Sequence, residues 1–429
     1  MARKMKDSGI EWIGEIPEGW RTINPKALFT QRKDKAQKDE RQLTSSQQYG
    51  ILYQDDYMEL TGSKVVTVEK DFDILKHVEA GDFVISMRSF QGGLEYSTKS
   101  GAISSAYVML VPNLELVYPR FYRWLLKSSV YIDALQRTTN MVRDGQAMRY
   151  SNFAQVRLFT LPLDEQKSRA DFLDLECSSI DKMLFKTRSS IEEYKKLKQA
   201  VITQAVTKGM RGEREMKDSG VDWIGKIPTT YSICKLKYLL KNPLKYGANE
   251  SGIPYSDSLP RYIRITDITP DGNLKYTGKL SLSEESAKDY ILEDGDILFA
   301  RSGATVGKTF IYYQSYGRSA YAGYLIKASL NNKVSPKFVY YYTCSSLYEI
   351  WKNSIFIQST IQNIGADRYA NLPVPVPKTL QEQEEIAAYL DAKCAEIDGL
   401  IAKKEQLVKE LESYKKSLIY EVVTGKREV

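Results

Sequence analysis

The chain has 429 residues, 42% of them hydrophobic, which is enough for roughly two to four domains with sizeable cores. A net charge of +7 is compatible with nucleic-acid binding without requiring it. The sequence lacks the ~20-residue apolar run that spans a bilayer, and its charged start is unlike a secretory signal. Four scattered cysteines favour free thiols in the cytoplasm, and a single histidine, His77, argues against histidine triads and metal centres.

The first motif in chain order is MKDSGIEWIGEIP, residues 5–17. It returns as MKDSGVDWIGKIP at residues 216–228, identical at ten of 13 positions. Thirteen residues cannot build a core of their own. Each copy, with its tryptophan (Trp12 or Trp223), is therefore predicted to clip onto one end of a larger element.

The region between the first motif and residue 160 alternates short β-rich runs with turns and places a helix after Pro119. This pattern predicts a compact α+β domain. A strand-like run ends in MRSFQGG, residues 87–93, which offers Arg88 and Gln91. Arginine and glutamine can make bidentate contacts with guanine and adenine edges.

A second polar cluster, NMVRDGQAMRY, occupies residues 140–150. It is rich in amides and cations and poor in acids, which suits base reading combined with phosphate contacts. The alternative is ordinary surface polarity. The candidates in this cluster are Asn140, Arg143, Gln146 and Arg149.

A long helix is predicted from residue 163 to residue 206, on the order of 65 Å in length. Apolar residues recur in it with 4-3 spacing, which is the pattern of a coiled-coil seam. At an offset of 217 residues, a second helix repeats its EQ, LD and ID pairs and its closing VT. Two matching seams predict an antiparallel pair. The seam candidates are Leu173, Ile180, Leu184, Leu390, Ile397 and Ile401.

Between the second motif and the second helix, SGATVGKT at residues 302–309 is similar to a phosphate-binding loop. The required first glycine would be residue 302, which is serine, and a strand-like run follows where a helix is needed. A hairpin that presents Arg301, Thr305 and Lys308 to a polyanion is the favoured interpretation. A nucleotide site and a merely solvated hairpin are the alternatives.

Further polar candidates follow the hairpin in the run IQSTIQN, residues 357–363. They are Gln358, Thr360, Gln362 and Asn363. Tyr321 is a candidate DNA contact as well, with core packing as its default alternative. The chain lacks a methyltransferase signature and a nuclease-like acidic cluster, which favours a binding subunit without catalytic residues or a metal site.

The repeated D-S-G-x-x-W-x-G-x-I-P segment, the L-x-E-Q helix starts and the V-T-G-K ending resemble the specificity subunit of type I restriction-modification enzymes across essentially the whole chain. The fold class expected is α+β, with two pseudo-repeated α/β recognition domains separated by two long antiparallel coiled-coil helices. The expected segments are recognition domain 1 (1–160), spacer helix 1 (161–210), recognition domain 2 (211–378) and spacer helix 2 (379–429).

The resemblance implies that each recognition domain reads one half of a bipartite sequence in double-stranded DNA, with the helices setting the unread gap. It also implies two modification (methyltransferase) subunits and restriction subunits as partners, which would hold S-adenosylmethionine, ATP and Mg²⁺. The repeated tryptophans and the seam residues are then interface residues of the subunit. A nucleotide-dependent enzyme and a coiled-coil scaffold that binds proteins remain as competing hypotheses.

Overall fold

The computed structural model describes residues 3–68, 72–86, 94–138, 149–210, 212–269, 272–303, 305–357 and 363–429. The chain divides into two compact units. Unit 1 comprises Met1–Arg188 and Gln406–Val429, and unit 2 comprises Ser189–Glu405. This division cuts each long helix in two, whereas the four segments expected from the sequence keep each helix whole. The four-segment division therefore stays a prediction.

Unit 1 is built from short strands and helices that precede the first long helix. In chain order they are β1 (Met5–Asp7), β2 (Glu15–Pro17), β3 (Arg21–Ile23), α1 (Pro25–Leu28), β4 (Phe29–Arg32), β5 (Leu43–Ser46), β6 (Gly50–Tyr53), α2 (Gln54–Thr61), β7 (Lys76–Val78), β8 (Phe83–Ser86), β9 (Glu95–Tyr96), β10 (Gly101–Ile103), β11 (Tyr107–Pro112), α3 (Pro119–Leu126), α4 (Ser129–Gln136), α5 (Tyr150–Phe153), β12 (Leu158–Thr160) and α6 (Leu163–Lys208).

The central sheet of unit 1 has the strand order β4-β11-β8-β9 and is antiparallel throughout. Its strands separate two cores by strict alternation of side chains. In β8, Phe83 and Ile85 join the larger core against α6, and Val84 joins a smaller outer core. The outer strands pair as β5 with β6 and β7 with β10. The predicted helix after Pro119 is confirmed as α3. Proline suits the first helical position, because its φ is already helical and its missing amide hydrogen would have no partner there.

Unit 2 follows the same plan with its own elements. In chain order they are β13 (Met216–Asp218), β14 (Lys226–Pro228), β15 (Tyr231–Lys235), β16 (Lys245–Tyr246), β17 (Ile253–Pro254), β18 (Arg261–Ile263), β19 (Leu280–Ser281), α7 (Glu284–Ala287), β20 (Ile297–Ala300), β21 (Thr309–Ile311), β22 (Ser319–Tyr321), β23 (Leu325–Ala328), α8 (Pro336–Thr343), α9 (Ser346–Ile357), α10 (Ala366–Ala370), β24 (Pro373–Pro377) and α11 (Leu380–Val423).

The central sheet of unit 2 has the order β16-β23-β20-β21, which matches the central sheet of unit 1 strand for strand. Alternation divides the cores again. Phe299 of β20 packs in the core against the long helices, and Leu298 packs in an outer core. The outer sheet differs, because β17-β19-β18-β22 is a four-stranded sheet in which β18 and β22 are parallel.

The long helices α6 and α11 pair antiparallel inside each unit. In unit 1, Lys415 Nζ lies 2.6 Å from Asp181 Oδ1, and Arg188 pairs with Glu412. In unit 2, Lys198 Nζ lies 2.6 Å from an oxygen of Asp398. Residue numbers rise along one helix as they fall along the other, so the predicted antiparallel pair is confirmed. Within the described ranges, no helix combines the length and apolar character needed to cross a membrane.

Candidate nucleic-acid interface

The start of α6 holds the first repeated segment of unit 1 through the carboxylate of Glu165. Its Oε2 accepts hydrogen bonds from Arg3 Nη2 at 3.0 Å and Trp20 Nε1 at 3.1 Å, and its Oε1 accepts from Arg169 Nη2 at 2.8 Å. Burial alone would raise the pKa of Glu165, but these hydrogen bonds lower it to about 2. Trp20 is fully buried and stacks on Phe159 at 5.0 Å. One carboxylate therefore joins the segment to the helix.

Arg169 and the end of α11 close the same corner of unit 1. The Arg169 side chain is buried, and its Nη1 donates to the carbonyl oxygens of Val422 at 2.8 Å and Arg427 at 2.9 Å. Gly425 ends the helix with φ of 77°. A Cβ at this glycine would lie 2.5 Å from Pro17, so the close approach of the two segments requires glycine.

Unit 2 repeats this arrangement with different side chains. Glu382 Oε1 accepts hydrogen bonds from Arg214 Nη1 at 2.6 Å and from the Tyr231 hydroxyl at 3.3 Å. Arg214 and Tyr231 follow Arg3 and Trp20 by 211 residues, the offset between the two repeated motifs. The first residue of each E-Q pair is therefore the anchor of its repeated segment.

The second residue of each E-Q pair binds the loop before a helix of the domain. Gln166 Oε1 accepts from the backbone amide of Tyr118 at 2.7 Å, and Gln383 Oε1 accepts from the amide of Ser335 at 2.8 Å. Each side-chain nitrogen donates to a carbonyl in the turn before its own long helix, at 2.9 and 3.1 Å. Both glutamines are buried. Their hydrogen bonds therefore give partners to backbone amides and carbonyls that are shielded from water.

The aspartates of the L-D and I-D pairs also hold elements together. Asp174 accepts from Arg120 Nε at 2.9 Å and from Trp124 Nε1 at 2.7 Å, both on α3. Asp391 accepts from Lys337 Nζ of α8 at 2.6 Å. The I-D aspartates form the interhelical ion pairs described above. The repeated motifs thus make the same contacts in both units, and together we call these contacts the frame.

Four chain segments converge outside the frame of unit 2, at the end of β20. The amide of Arg301 donates to the carbonyl of Tyr324 at 3.0 Å, and the carbonyl of Arg301 accepts from Ile364 at 2.9 Å. A β-bridge joins Ser302 to Asn363. The Arg301 guanidinium carbon lies 5.0 Å from the centroid of the Tyr246 ring. We call this group of residues the rim of unit 2.

The rim exposes aromatic and polar groups. Tyr324 is 61% exposed, Tyr246 is 42% exposed, and Asn363 is exposed as well. The Tyr246 hydroxyl accepts from the amide of Ala366 at 3.0 Å, which fixes the ring. Stacking faces, a cation and an amide on one surface are the chemical means by which proteins contact nucleic-acid bases and phosphates.

Comparison with known proteins agrees with this arrangement. The family described as "Type I restriction modification DNA specificity domain" matches residues 254–410. The specificity subunit of the type I restriction enzyme EcoKI from Escherichia coli K12 is 22% identical over 443 residues, covering 93% of this chain and 88% of the relative. The chain is thus similar to the specificity subunits of type I restriction-modification enzymes over most of its length.

Other type I restriction-modification proteins are similar over a shorter length or in fold alone. The StySPI specificity subunit of Salmonella potsdam is 29% identical over 92 residues, 21% of this chain, and the match spans only 20% of that relative. A chain from a structure of type I R-M complex assembly and conformational transition has a TM-score of 0.72 at 15% identity, covering 96% of this chain and 99% of that one. The HsdS subunit of Thermoanaerobacter tengcongensis has a TM-score of 0.52 at 16% identity, with coverage of 96% and 98%.

The described part of the chain includes only some of the predicted DNA-binding residues. Arg149 is exposed just before α5, and its amide donates to Asn152 Oδ1 at 3.0 Å. Arg301 and Asn363 lie together at the rim of unit 2. The candidates outside the described residues are Arg88, Gln91, Asn140, Arg143, Gln146, Gln358, Thr360 and Gln362.

The assignment of Tyr321 to DNA contact is wrong. Its side chain is fully buried in an outer core of unit 2, and its hydroxyl donates to the carbonyl of Lys245 at 3.2 Å. Burial raises the pKa of the Tyr321 hydroxyl. Tyr321 ends β22 and Tyr324 precedes β23, and it is Tyr324 that is exposed.

The loop at residues 302–309 is a hairpin connection and lacks the geometry of a nucleotide-binding loop. It joins β20 to β21, which pair antiparallel, whereas a phosphate-binding loop opens a helix. Thr305 is half-buried, and its carbonyl accepts from the amide of Lys308 at 3.0 Å. The exposed Lys308 lines an open cavity of about 560 Å³ together with Lys195 and Lys198 of α6. The nucleotide-enzyme hypothesis is therefore not supported.

The residues predicted to form the seam of the helix pair face the interior of the chain, as that prediction requires. Five of them are buried in the cores of the chain's own units, and only Ile401 is half-buried. Their apolar surface is therefore already used within the chain and is unavailable to a partner. The buried five are Leu173, Ile180, Leu184, Leu390 and Ile397.

The repeated tryptophans pack against cores that include residues of the long helices. Trp12 is half-buried, donates to the carbonyl of Arg157 at 3.3 Å and packs 5.5 Å from the ring of Tyr131. Trp223 is half-buried against the core of unit 2. The hydrogen bonds to the anchor glutamates of the helices come from Trp20 and Tyr231, which lie just beyond the compared motifs. Extending the comparison at the same offset would have found both residues.

Proposed function

We propose that this chain is the DNA-recognition subunit of a type I restriction-modification complex, and that each unit reads one half of a bipartite DNA sequence. The chain itself supplies binding and positioning without catalysis. Its two units give two independent recognition surfaces, which is what a sequence with two separated half-sites requires.

The observation that carries this proposal is the contrast between frame and domain inside each unit. Glu165 and Glu382, Gln166 and Gln383, and Asp174 and Asp391 make equivalent contacts in the two units, as described above. The outer sheets differ in strand number and direction. The two units thus have equivalent frames but different outer surfaces. This combination favours a protein that recognises two different half-sites in DNA over a scaffold with two equivalent ends.

The chemical steps belong to partners under this proposal. Methylation of a base requires that the base leave the duplex and enter a catalytic pocket. We assign that pocket and its S-adenosylmethionine to modification subunits, and ATP and Mg²⁺ to restriction subunits. This chain would hold the duplex in the register at which a partner can reach the target adenine.

A surface on α6 in unit 1 supports a protein partner. Phe185 of α6 is 74% exposed. Phe185 also lines an open cavity of about 610 Å³ with Trp124 and Lys186. A large apolar side chain exposed beside such a cavity is a candidate contact for a protein partner. We propose a modification subunit as the protein that covers this apolar surface.

The decisive experiment maps methylated adenines across the genome of a methylation-free host that expresses this chain with its modification subunits. We expect two short specified blocks separated by a gap of fixed length and free sequence. Loss of this chain should abolish the methylation. A single continuous motif, or methylation without the chain, would contradict the proposal.

A chimera tests the assignment of one half-site to each unit. Residues 229–378 are replaced by the corresponding segment of a relative with a different specificity, and the frame is kept. We expect one block of the motif to change and the other block to persist. A change in both blocks would show that the units do not read independently.

A further inference from the structure

Arg301 at the rim of unit 2 is held firmly on its backbone side. Its amide and its carbonyl are both hydrogen-bonded, to Tyr324 and Ile364 as given above. The residue follows β20 directly, and the strand is buried on both faces. The side chain therefore leaves a rigid support at a defined point, whereas a typical phosphate-binding lysine extends from a flexible surface.

The Arg301 guanidinium is partly desolvated and has no acidic partner among the residues that the structure describes. Its Nε is inaccessible to solvent and makes no hydrogen bond with them. The face of Tyr246 lies against the group at 5.0 Å, a cation–π distance. A desolvated cation without a counter-ion is unfavourable unless a ligand completes its interactions.

Other arginines of unit 2 illustrate the difference. Arg214 pairs with Glu382, Arg264 with Asp267, and Arg318 with Glu284. Those side chains have their charge balanced within the unit. Arg301 lies beside exposed Tyr324 and Asn363, and its terminal amino groups remain available for an outside acceptor.

We propose that Arg301 reads a guanine in the half-site contacted by unit 2, and that Tyr246 positions its guanidinium for that contact. Guanine presents N7 and O6 as two acceptors on its major-groove edge, and an arginine fork donates to both. With Nε enclosed, the two terminal amino groups are the donors left for such a bidentate contact. The inference rests on the proposed function, because it assumes that unit 2 contacts DNA.

The test uses the full chain in complex with its modification subunits and a random-sequence duplex library, followed by sequencing of the bound fraction. In Arg301→Lys the charge remains but the fork is lost. We expect the preference for guanine at one position to fall roughly 5- to 150-fold, the range associated with one bidentate base contact. Other positions of that half-site, and the whole of the second half-site, should keep their preferences.

Two variants of Tyr246 separate positioning from binding. In Tyr246→Leu the aromatic face is removed, and we expect a smaller loss of preference at the same position. In Tyr246→Phe the face is kept and the hydroxyl that accepts from Ala366 is lost, so the preference should be closer to wild type. Arg318→Lys is the matched control, since Arg318 is an exposed, ion-paired arginine of the same unit and should leave the motif unchanged.

The outcomes distinguish this inference from the proposed function. If the wild-type complex selects no bipartite motif, the proposed function fails and the inference fails with it. If the motif appears but Arg301→Lys leaves every guanine preference intact, only the inference is overturned. An equal loss of affinity for all sequences would likewise overturn it, because that marks a phosphate contact.

Discussion

The two units share a frame and a central sheet and differ in the strands laid over that sheet. The strand orders β4-β11-β8-β9 and β16-β23-β20-β21 correspond, yet unit 1 adds two-stranded pairs where unit 2 adds a four-stranded sheet with a parallel pair. The inner face of each central sheet packs against the long helices, so its side chains are constrained by the frame. The outer face is free of that constraint, and there the units diverge.

The frame itself departs from symmetry at one position. Arg169 in unit 1 is buried and depends on Glu165 for its only carboxylate partner among the described residues. The corresponding residue in unit 2, at the 217-residue offset, is Ile386, which is buried in an apolar core. Burial of the Arg169 charge lowers its pKa, and hydrogen bonding to Glu165 opposes that effect. Unit 1 therefore buries a charged side chain, Arg169, at this position, and unit 2 buries an apolar one, Ile386.

The largest effect is expected when the two anchor glutamates are removed in turn. Glu165→Ala leaves the buried Arg169 unpaired and should cost about 3–5 kcal/mol of the free energy of unfolding. Glu382→Ala removes hydrogen bonds from Arg214 and Tyr231 and should cost about 1.5–3 kcal/mol. Urea unfolding of the full chain gives the total, and hydrogen exchange locates the loss in one unit.

A double variant serves as the control for that comparison. Glu165→Ala with Arg169→Met removes the buried charge together with its partner, so part of the lost stability should return. The prediction fails if Glu165→Ala and Glu382→Ala lose the same free energy of unfolding and the double variant recovers none of it. The buried charge of Arg169 would then not account for a difference between the two units.

The exposed surface on α6 gives the next largest effect. Phe185→Ser should weaken binding of a modification subunit by about 1.5–3 kcal/mol, the value of one buried large apolar side chain. The stability of the isolated chain should hardly change, because Phe185 is exposed. Calorimetric titration measures the binding, with Lys167→Ser as control, because Lys167 is an exposed residue of α6 outside the cavity that Phe185 lines. Unchanged affinity would remove this surface as the docking site.

Acid should destabilise unit 1 through Glu165. Its folded-state pKa of about 2 lies below the ordinary value near 4.3, so the stabilisation is present above about pH 4.3 and is lost as pH falls toward 2. Because the group is partly exposed, we expect a loss of about 1–2 kcal/mol. Unfolding midpoints between pH 5 and pH 2.5 measure it. The same dependence in Glu165→Gln would assign the effect to other carboxylates.

The smallest effects are expected at the interhelical ion pairs, where the units are most alike. Asp181→Asn breaks the pair with Lys415, and Asp398→Asn breaks the pair with Lys198. Both aspartates are about half exposed, so each change should cost about 0.2–1 kcal/mol and should weaken further in salt. Thermal unfolding at two salt concentrations checks this. A clear difference between the two variants would reveal asymmetry that the geometry does not show.

The candidate site was less accessible to prediction than the frame. Arg301 was predicted as part of a hairpin that faces a polyanion. Its neighbours Tyr246 and Asn363 are 55 and 62 positions away in the chain, and no local pattern joins them to it. Tyr321 and Tyr324 are three positions apart with opposite exposure, which depends on where β22 ends and how the turn to β23 packs. The E-Q, L-D and I-D pairs were recognised as a repeat, but their partners lie on distant elements.

The sequence by itself determined the duplication, the two long helices and their seam, the helix that follows Pro119, and the resemblance to type I specificity subunits. These features depend on identity at a fixed offset or on side-chain periodicity, which are local properties of the chain. Only the tertiary structure decided that Glu165 and Glu382 anchor the repeated segments through Trp20 and Tyr231, that Tyr321 is core, and that the face of Tyr246 lies against Arg301. Those contacts follow from packing between residues far apart in the chain, where many pairings satisfy the same local pattern and burial selects one of them.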